Sequence, residues 1–193
     1  SAEYARRGYS FILNGYYNHI TNKIATGAPY LAHPTDPIPH LSYINLAAHS
    51  VVGMEAAVQG HWRNGLTARL AYTLTAENLP RNKAGERMSA QYIPARKHSL
   101  MVHADWEHRF HKNFGMTLGI DGRYFSGVTN PEYIDYYDVS KGMRDIEYSG
   151  YTLWKLSAAG QFKKGVKITL ALDNLFNYRP KYYYLNSPLT DGI

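Results

Sequence analysis

From Leu66 to Phe176 apolar and polar residues alternate along the chain with few slips. Leu66, Ala68, Leu70, Tyr72, Leu74 and Ala76 share one side, and Thr67, Arg69, Ala71, Thr73 and Thr75 the other. Further along, Leu100, Val102, Ala104, Trp106 and Phe110 oppose His103, Asp105, Glu107 and Arg109. Side chains of a strand point to opposite faces with a period of two, so each run predicts a strand with one apolar and one polar surface. The pattern predicts seven strands, over residues 9–22, 41–61, 66–76, 99–110, 114–125, 151–162 and 166–176. In the second, Ile44, Leu46, Ala48, Val52, Met54, Ala56 and Val58 share a face.

Short and long connections take turns between these strands. Arg63-Asn64-Gly65 and Lys163-Lys164-Gly165 carry hairpin chemistry, because glycine accepts the positive φ of a tight turn. Residues 111–113 make another short turn, whereas 23–40, 77–98 and 126–150 read as long loops. Strands of about 11–14 residues exceed the usual ~5–6. They suit a bilayer crossing of roughly 9–11 residues plus an extension beyond it. Short turns at one end and long loops at the other form the asymmetry of outer-membrane barrels, with the short turns periplasmic.

Composition narrows the choice. The chain has 193 residues and no cysteine, which excludes disulfides and thiolate chemistry. Its formal charge of +6 suits contact with anionic surfaces. Eighteen tyrosines against six phenylalanines suit boundaries between apolar and wet regions. Mean hydropathy is −0.42, and no apolar run approaches the ~20 residues of a spanning helix. A β-barrel escapes that test because only alternate residues meet lipid. The chain opens Ser1-Ala2-Glu3-Tyr4 with no apolar leader, which suits either a cytosolic protein or a mature or cut sequence.

Three short stretches carry a family likeness. Residues 170–177 read Leu-Ala-Leu-Asp-Asn-Leu-Phe-Asn and lead into a tyrosine-rich segment. Asn14-Gly15-Tyr16-Tyr17-Asn18 lies in the first strand, and Gly53-Met54-Glu55 follows Tyr43-Ile44-Asn45-Leu46-Ala47 in the second. In order and spacing they resemble the C-terminal part of the β-barrel of a TonB-dependent outer-membrane receptor. The resemblance implies an all-β, antiparallel up-and-down meander, a fragment of a ~22-stranded transmembrane β-barrel built around an N-terminal plug. It implies uptake of a scarce nutrient, such as an iron complex with a siderophore or haem, across the outer membrane of a Gram-negative bacterium. Energy would come from the TonB system through the plug. Residues 1–193 would then be one barrel portion, lacking plug and closing strand. The open edges of such a piece invite self-association.

The candidate ligand contacts lie in the long loops. Arg87, Tyr92 and Arg96 sit in the basic segment 77–98, and Tyr133, Tyr136 and Tyr137 in the next loop. Arginine and tyrosine there could hold an anionic chelate or haem propionates by charge-assisted hydrogen bonds and stacking. The blander reading is loop solubility or contact with lipopolysaccharide phosphates. His103, Asp105 and Glu107 could pass for acid–base or metal-ligand material. Alternate strand positions lie nearly 7 Å apart in a line, so they converge on nothing without other strands. A row of polar residues facing a wet interior, paired with Asp121 and Arg123, is the better reading. His98, His108 and His111 could suggest metal or haem capture, but histidines at strand ends are more often solvated. Trp62, Trp106 and Trp154 read as interfacial anchors, against tryptophans of a soluble core. No phosphate loop, nucleophile elbow or zinc spacing occurs, so no catalysis, metal or cofactor is expected. The basic residues are dispersed rather than striped, which argues against nucleic acid.

Two other readings compete. One is a small complete outer-membrane barrel, such as a hydrolase using His103 and Asp105. The other is a soluble ligand-binding barrel with the Leu/Val/Ala face filling its core.

Overall fold

The computed structural model describes residues 1–78, 95–135, 138–163, 165–179, 182–183 and 187–188. The strands are β1 (Ala2–Arg6), β2 (Tyr9–Tyr30), β3 (His40–His61), β4 (Leu66–Glu77), β5 (His98–His111), β6 (Phe114–Phe125), β7 (Val128–Tyr133), β8 (Met143–Tyr148), β9 (Tyr151–Phe162) and β10 (Lys167–Leu172). Eight of them form one antiparallel sheet in the order β1-β2-β3-β4-β5-β6-β9-β10, and β7 pairs with β8 as a separate hairpin. Two-residue strands at Tyr182–Tyr183 and Ser187–Pro188 form a further small ladder. The meander expected from alternation is present, and each of the seven expected strands has its counterpart in the sheet.

Cross-strand pairing lines up the apolar positions. Tyr4, Phe11, Val58, Leu70 and Val102 are successive partners from β1 to β5. Leu66, Trp106, Leu118, Ala158 and Leu170 are successive partners from β4 to β10. This face is bare: Leu70 is 43% exposed, Leu118 40% and Leu170 71%. A soluble barrel would bury these side chains in its interior, so that expectation fails. The strands β1 and β10 stand at opposite edges of the sheet, which does not close on itself among the described residues. A small complete barrel is therefore not what these strands form.

Aromatic rings bound the bare face at both ends. Near the short turns lie Tyr9, Trp62, Trp106, Phe110, Phe114 and Phe162. Tyr9 meets Trp62 at 5.7 Å, Phe110 meets Phe114 at 5.8 Å and Phe114 meets Phe162 at 5.2 Å between ring centroids. Toward the loops lie Tyr17, Tyr72 and Tyr124. Phe114 and Tyr124 are the first and eleventh residues of β6. At about 3.3 Å per residue and a tilt of about 40°, they stand roughly 25 Å apart along the normal, the height of an outer-membrane apolar band. Among the described residues no helix is long and apolar enough to cross a membrane, which says nothing about strands.

The structure corrects several boundaries. Half of residues 23–40, expected as loop, is strand, because β2 runs to Tyr30 and β3 starts at His40. Asn22 has φ 54°, a left-handed conformation asparagine tolerates, and the ladder resumes beyond it. Pro29 sits where the register shifts, so its missing N–H interrupts an already irregular place. At 22 residues each, β2 and β3 are twice what a bilayer requires, and their distal half stands clear of it. The loop 126–150 contains the β7–β8 hairpin. A further strand, β1, precedes the expected first one and is joined to it by Arg7 (φ 49°) and Gly8 (φ 86°).

The last strand ends at Leu172 instead of 176. Asn174 and Asn177 have φ of 51° and 49°, and the Asn177 N–H donates to the Asn174 carbonyl at 2.8 Å. The Asn-Leu-Phe-Asn stretch is therefore a turn that stops β10. The Leu175 N–H ties it back to the Trp154 carbonyl on β9 at 2.9 Å.

Two glycines explain local sequence choices. Gly53 pairs with Tyr16, whose ring lies across it so closely that a Cβ would come within 2.2 Å of Cζ. Gly122 likewise pairs with Trp154 and lies under its indole. The aromatic ring covers the gap that each glycine leaves in the sheet. The first pair joins two of the sequence stretches that carry the family likeness.

Candidate ligand-sampling loops and the lumenal wall

The face opposite the bare one is polar. Arg69, His103, Asp121 and Lys155 are successive cross-strand partners on β4, β5, β6 and β9. Lys155 Nζ reaches Asp173 Oδ1 at 3.2 Å just beyond β10. His103 lies between two carboxylates, with Nδ1 at 2.8 Å from Asp121 Oδ1 and Nε2 at 2.7 Å from Asp105 Oδ2. With both ring nitrogens within hydrogen-bond distance of carboxylates, the imidazole has neither free to take a proton from a nucleophile. The hydrolase reading of His103 and Asp105 therefore lacks its base. Glu107 lies farther along the same face and is not in this contact. Tyr16 Oη meets Thr75 Oγ1 at 3.1 Å on the same side. What the row can do is present charges of both signs on that face.

At the loop end, side chains tie the bases of successive loops together. Arg96 Nη1 donates to the Ser126 carbonyl and, at 3.2 Å, to the Ser149 carbonyl. Its guanidinium also lies 4.9 Å from the centroid of the Tyr151 ring, which stacks on Tyr178 at 4.6 Å and 10°. The buried Ser126 exchanges bonds with His98: its N–H donates to the His98 carbonyl at 2.9 Å, and its Oγ accepts the His98 N–H at 3.0 Å. Burial pushes the Tyr178 phenol up from its ordinary value; Tyr151 adds to the shift and Arg96 opposes it. Next door, Glu77 accepts the Ala95 N–H and lies 3.3 Å from His49 Nε2, closing the neck of the loop between β4 and β5. At the β7–β8 tip, Lys141 Nζ donates to Asp135 Oδ2 at 2.7 Å, which raises the ammonium above its ordinary value.

Of the six candidate contacts, Arg87, Tyr92, Tyr136 and Tyr137 lie outside the described residues. Arg96 is at the loop neck. Tyr133 closes β7 opposite Met143, at the far end of the hairpin from Arg96. Five residue steps from Val128 place it roughly 17 Å from the hairpin base. The structure does not bring these two together. His98, His108 and His111 do not converge either: His98 Nδ1 meets Tyr72 Oη at 2.7 Å at the loop end, whereas His108 stacks on Trp106 at 5.2 Å near the short turns.

Sequence reasoning missed Ser126, Ser149, Tyr151 and Tyr178. A signal existed, since Ser126-Gly127 and Ser149-Gly150 repeat one dipeptide at the two ends of the loop. A Cβ on Gly150 would stand 2.8 Å from the Phe125 carbonyl oxygen, so the two strands of the neck need glycine to approach.

The comparisons agree with this geometry. The family model for the TonB-dependent receptor-like β-barrel matches residues 1–175. No curated protein matches the sequence. Among solved structures, the FrpB iron transporter from Neisseria meningitidis (F3-3 variant) superposes with a TM-score of 0.68 at 14% identity, over 98% of this chain and 27% of that one. The copper transporter OprC gives a TM-score of 0.65 at 13% identity, over 93% of this chain and 24% of that one. The chain thus spans about a quarter of the length of each transporter. With its bare apolar face, polar opposite face and 25-Å ring-to-ring height (an approximate figure), the chain belongs to the TonB-dependent receptor-like β-barrel family of the Gram-negative outer membrane.

Proposed function

We propose that residues 1–193 form the C-terminal portion of the wall of a receptor that takes up a scarce nutrient, an iron complex such as a ferric siderophore or haem, with energy delivered by TonB through a plug outside this chain. The observation that carries the reading is the two-solvent sheet: a bare apolar face bounded by rings, backed by the charged row Arg69–His103–Asp121–Lys155. The wall is non-catalytic in this reading, and the loops do the sampling. Arg87, Tyr92, Tyr133, Tyr136 and Tyr137 contact the ligand, with Arg96 at the loop base. Basic and phenolic side chains suit an anionic chelate.

The test is uptake by cells carrying the full receptor, with labelled ferric siderophore, haem iron or copper, in TonB-competent and TonB-deficient backgrounds. Iron-complex uptake that stops without TonB is the expected result. Uptake of copper alone would reject the iron class, and uptake indifferent to TonB would reject the mechanism. The excised chain should also pair its β1 and β10 edges with other copies, giving dimers or larger species by light scattering; a clean monomer contradicts that.

A further inference from the structure

Every short turn of the wall carries cations and no carboxylate: Arg6 and Arg7 before Gly8, Arg63 in the turn to β4, Lys112 in the turn to β6, and Lys163 and Lys164 before Gly165. Each turn also adjoins a ring of the aromatic chain. Tyr9 follows Arg7-Gly8, Trp62 precedes Arg63, Phe110 and Phe114 flank Lys112, and Phe162 precedes Lys163. The rings mark the boundary between hydrocarbon and headgroups, so the cations stand at headgroup level. Arg6, Arg7, Arg63, Lys112 and Lys163 are all exposed, and no carboxylate among the described residues pairs with them. The loop end differs, since Lys141 there is held by Asp135.

The turns are also fixed relative to one another. The His61 N–H donates to the Gly8 carbonyl at 2.8 Å, the Glu107 N–H to the Gly65 carbonyl at 2.9 Å and the Lys163 N–H to the Asn113 carbonyl at 2.9 Å. Each turn spans two strands, so neighbouring turns recur about every 10 Å along the rim. Unpaired cations at fixed spacing, directly beyond a belt of rings, match the charge and depth of an anionic lipid layer.

We propose that this rim is a binding collar for the anionic headgroups of periplasmic-leaflet phospholipids, with Arg7, Arg63, Lys112 and Lys163 as the contacts. The proposal rests on the membrane-spanning reading of the wall. It assigns the short-turn end a partner distinct from any nutrient or TonB contact.

The test uses the full receptor, purified and titrated with phosphatidylglycerol or phosphatidylethanolamine, with bound lipids counted by native mass spectrometry. The wild type should retain phosphatidylglycerol in preference, less so as salt rises. The combined variant R7Q/R63Q/K112Q/K163Q should lose that preference, with each headgroup contact weakened roughly fivefold. R63Q and K112Q alone should each lose part of it, which keeps the test open if the fourfold variant folds poorly. The loop-end control K97Q/R144Q should behave as wild type. Equal retention by wild type and fourfold variant, or no lipid preference in the wild type, overturns the collar. Oxygen accessibility of a spin label at Leu118 separates the two readings. A lipid-exposed label without phosphatidylglycerol preference overturns the collar alone, and a water-exposed label overturns the wall itself.

Discussion

At the short-turn end, Tyr9 meets Trp62, and Trp106, Phe110, Phe114 and Phe162 meet in series, and among the described residues the cations of the turns beyond them have no carboxylate partner. At the loop end, the corresponding positions hold Arg96, Ser126, Ser149 and Glu77, which knit separate loops together by hydrogen bonds. In the proposed wall the first end faces a flat lipid boundary that is the same for every strand, so one repeated device serves all of it. The second end must hold long, dissimilar loops over an opening, so each neck has its own contacts. The same sheet therefore presents a uniform rim on one side and specific joints on the other.

The largest effect should come from reversing the solvent of one face between these ends. Leu118→Arg places a charge near the middle of the apolar band and should cost ~2–4 kcal/mol, whereas Thr117→Arg on the polar face should cost far less. Reversible urea unfolding of the full receptor in lipid vesicles measures both. Equal costs would mean that the two faces do not meet different solvents.

A smaller effect is expected where the wall needs close approach. Gly53→Val drives a side chain into the Tyr16 ring and separates Tyr16 from Thr75, at a cost of ~1–3 kcal/mol in the same assay. Gly142→Val, on the loop hairpin with nothing near its would-be Cβ, pays only for its φ of 80° and serves as a reference. A Gly53 variant as stable as the parent would show that the ring-over-glycine contact is not required.

Arg96 sharpens the contrast at the loop end. Lysine keeps the charge but loses the planar fork and the ring contact. Arg96→Lys should raise amide exchange at His98 and Ser126 about tenfold, as loss of a charge-assisted bond implies. If Arg96 served only as a point charge for ligand, exchange in the lysine variant would match the parent and only a glutamine variant would bind ligand less well.

The smallest effect is a pH effect. The Tyr178 phenol is raised, so the neutral form is favoured in the folded neck. Its contribution is complete below the ordinary tyrosine value of about 10 and lost as pH rises through the higher folded value. The neck should be unchanged from neutral pH to mildly alkaline, and Tyr178→Phe should remove one late-titrating tyrosinate from the absorbance titration. Loss of a tyrosinate that titrates at the ordinary tyrosine value of about 10 instead would contradict the burial of that phenol in the stack.

Legibility in the sequence followed the same division. The wall was readable because alternate residues meet two different solvents, and Leu70, Val102 and Leu118 record this without help from distant contacts. The neck was not readable, because Arg96 acts on backbone carbonyls at Ser126 and Ser149 that leave no mark in side-chain pattern. The β2–β3 extension was hidden by Asn22 and Pro29, residues that ordinarily stop strands but here sit at a left-handed residue and a register shift. The β7–β8 hairpin was hidden in the same way by Pro131 within β7. The end of β10 was overrun because Asn174 and Asn177 turn the chain within an apolar stretch. The contact of His103 with Asp121 is the neighbour pairing expected of the polar row.

The most direct test of the wall is a spin-label scan along β6 in the full receptor, reconstituted in lipid, with labels placed one at a time at residues 115–124. This chain has no cysteine of its own to interfere. The account predicts alternation with a period of two: high oxygen accessibility at Met116, Leu118, Ile120 and Tyr124, and low at Thr117, Gly119, Asp121 and Arg123. Alternation in the opposite phase, or none, would contradict it.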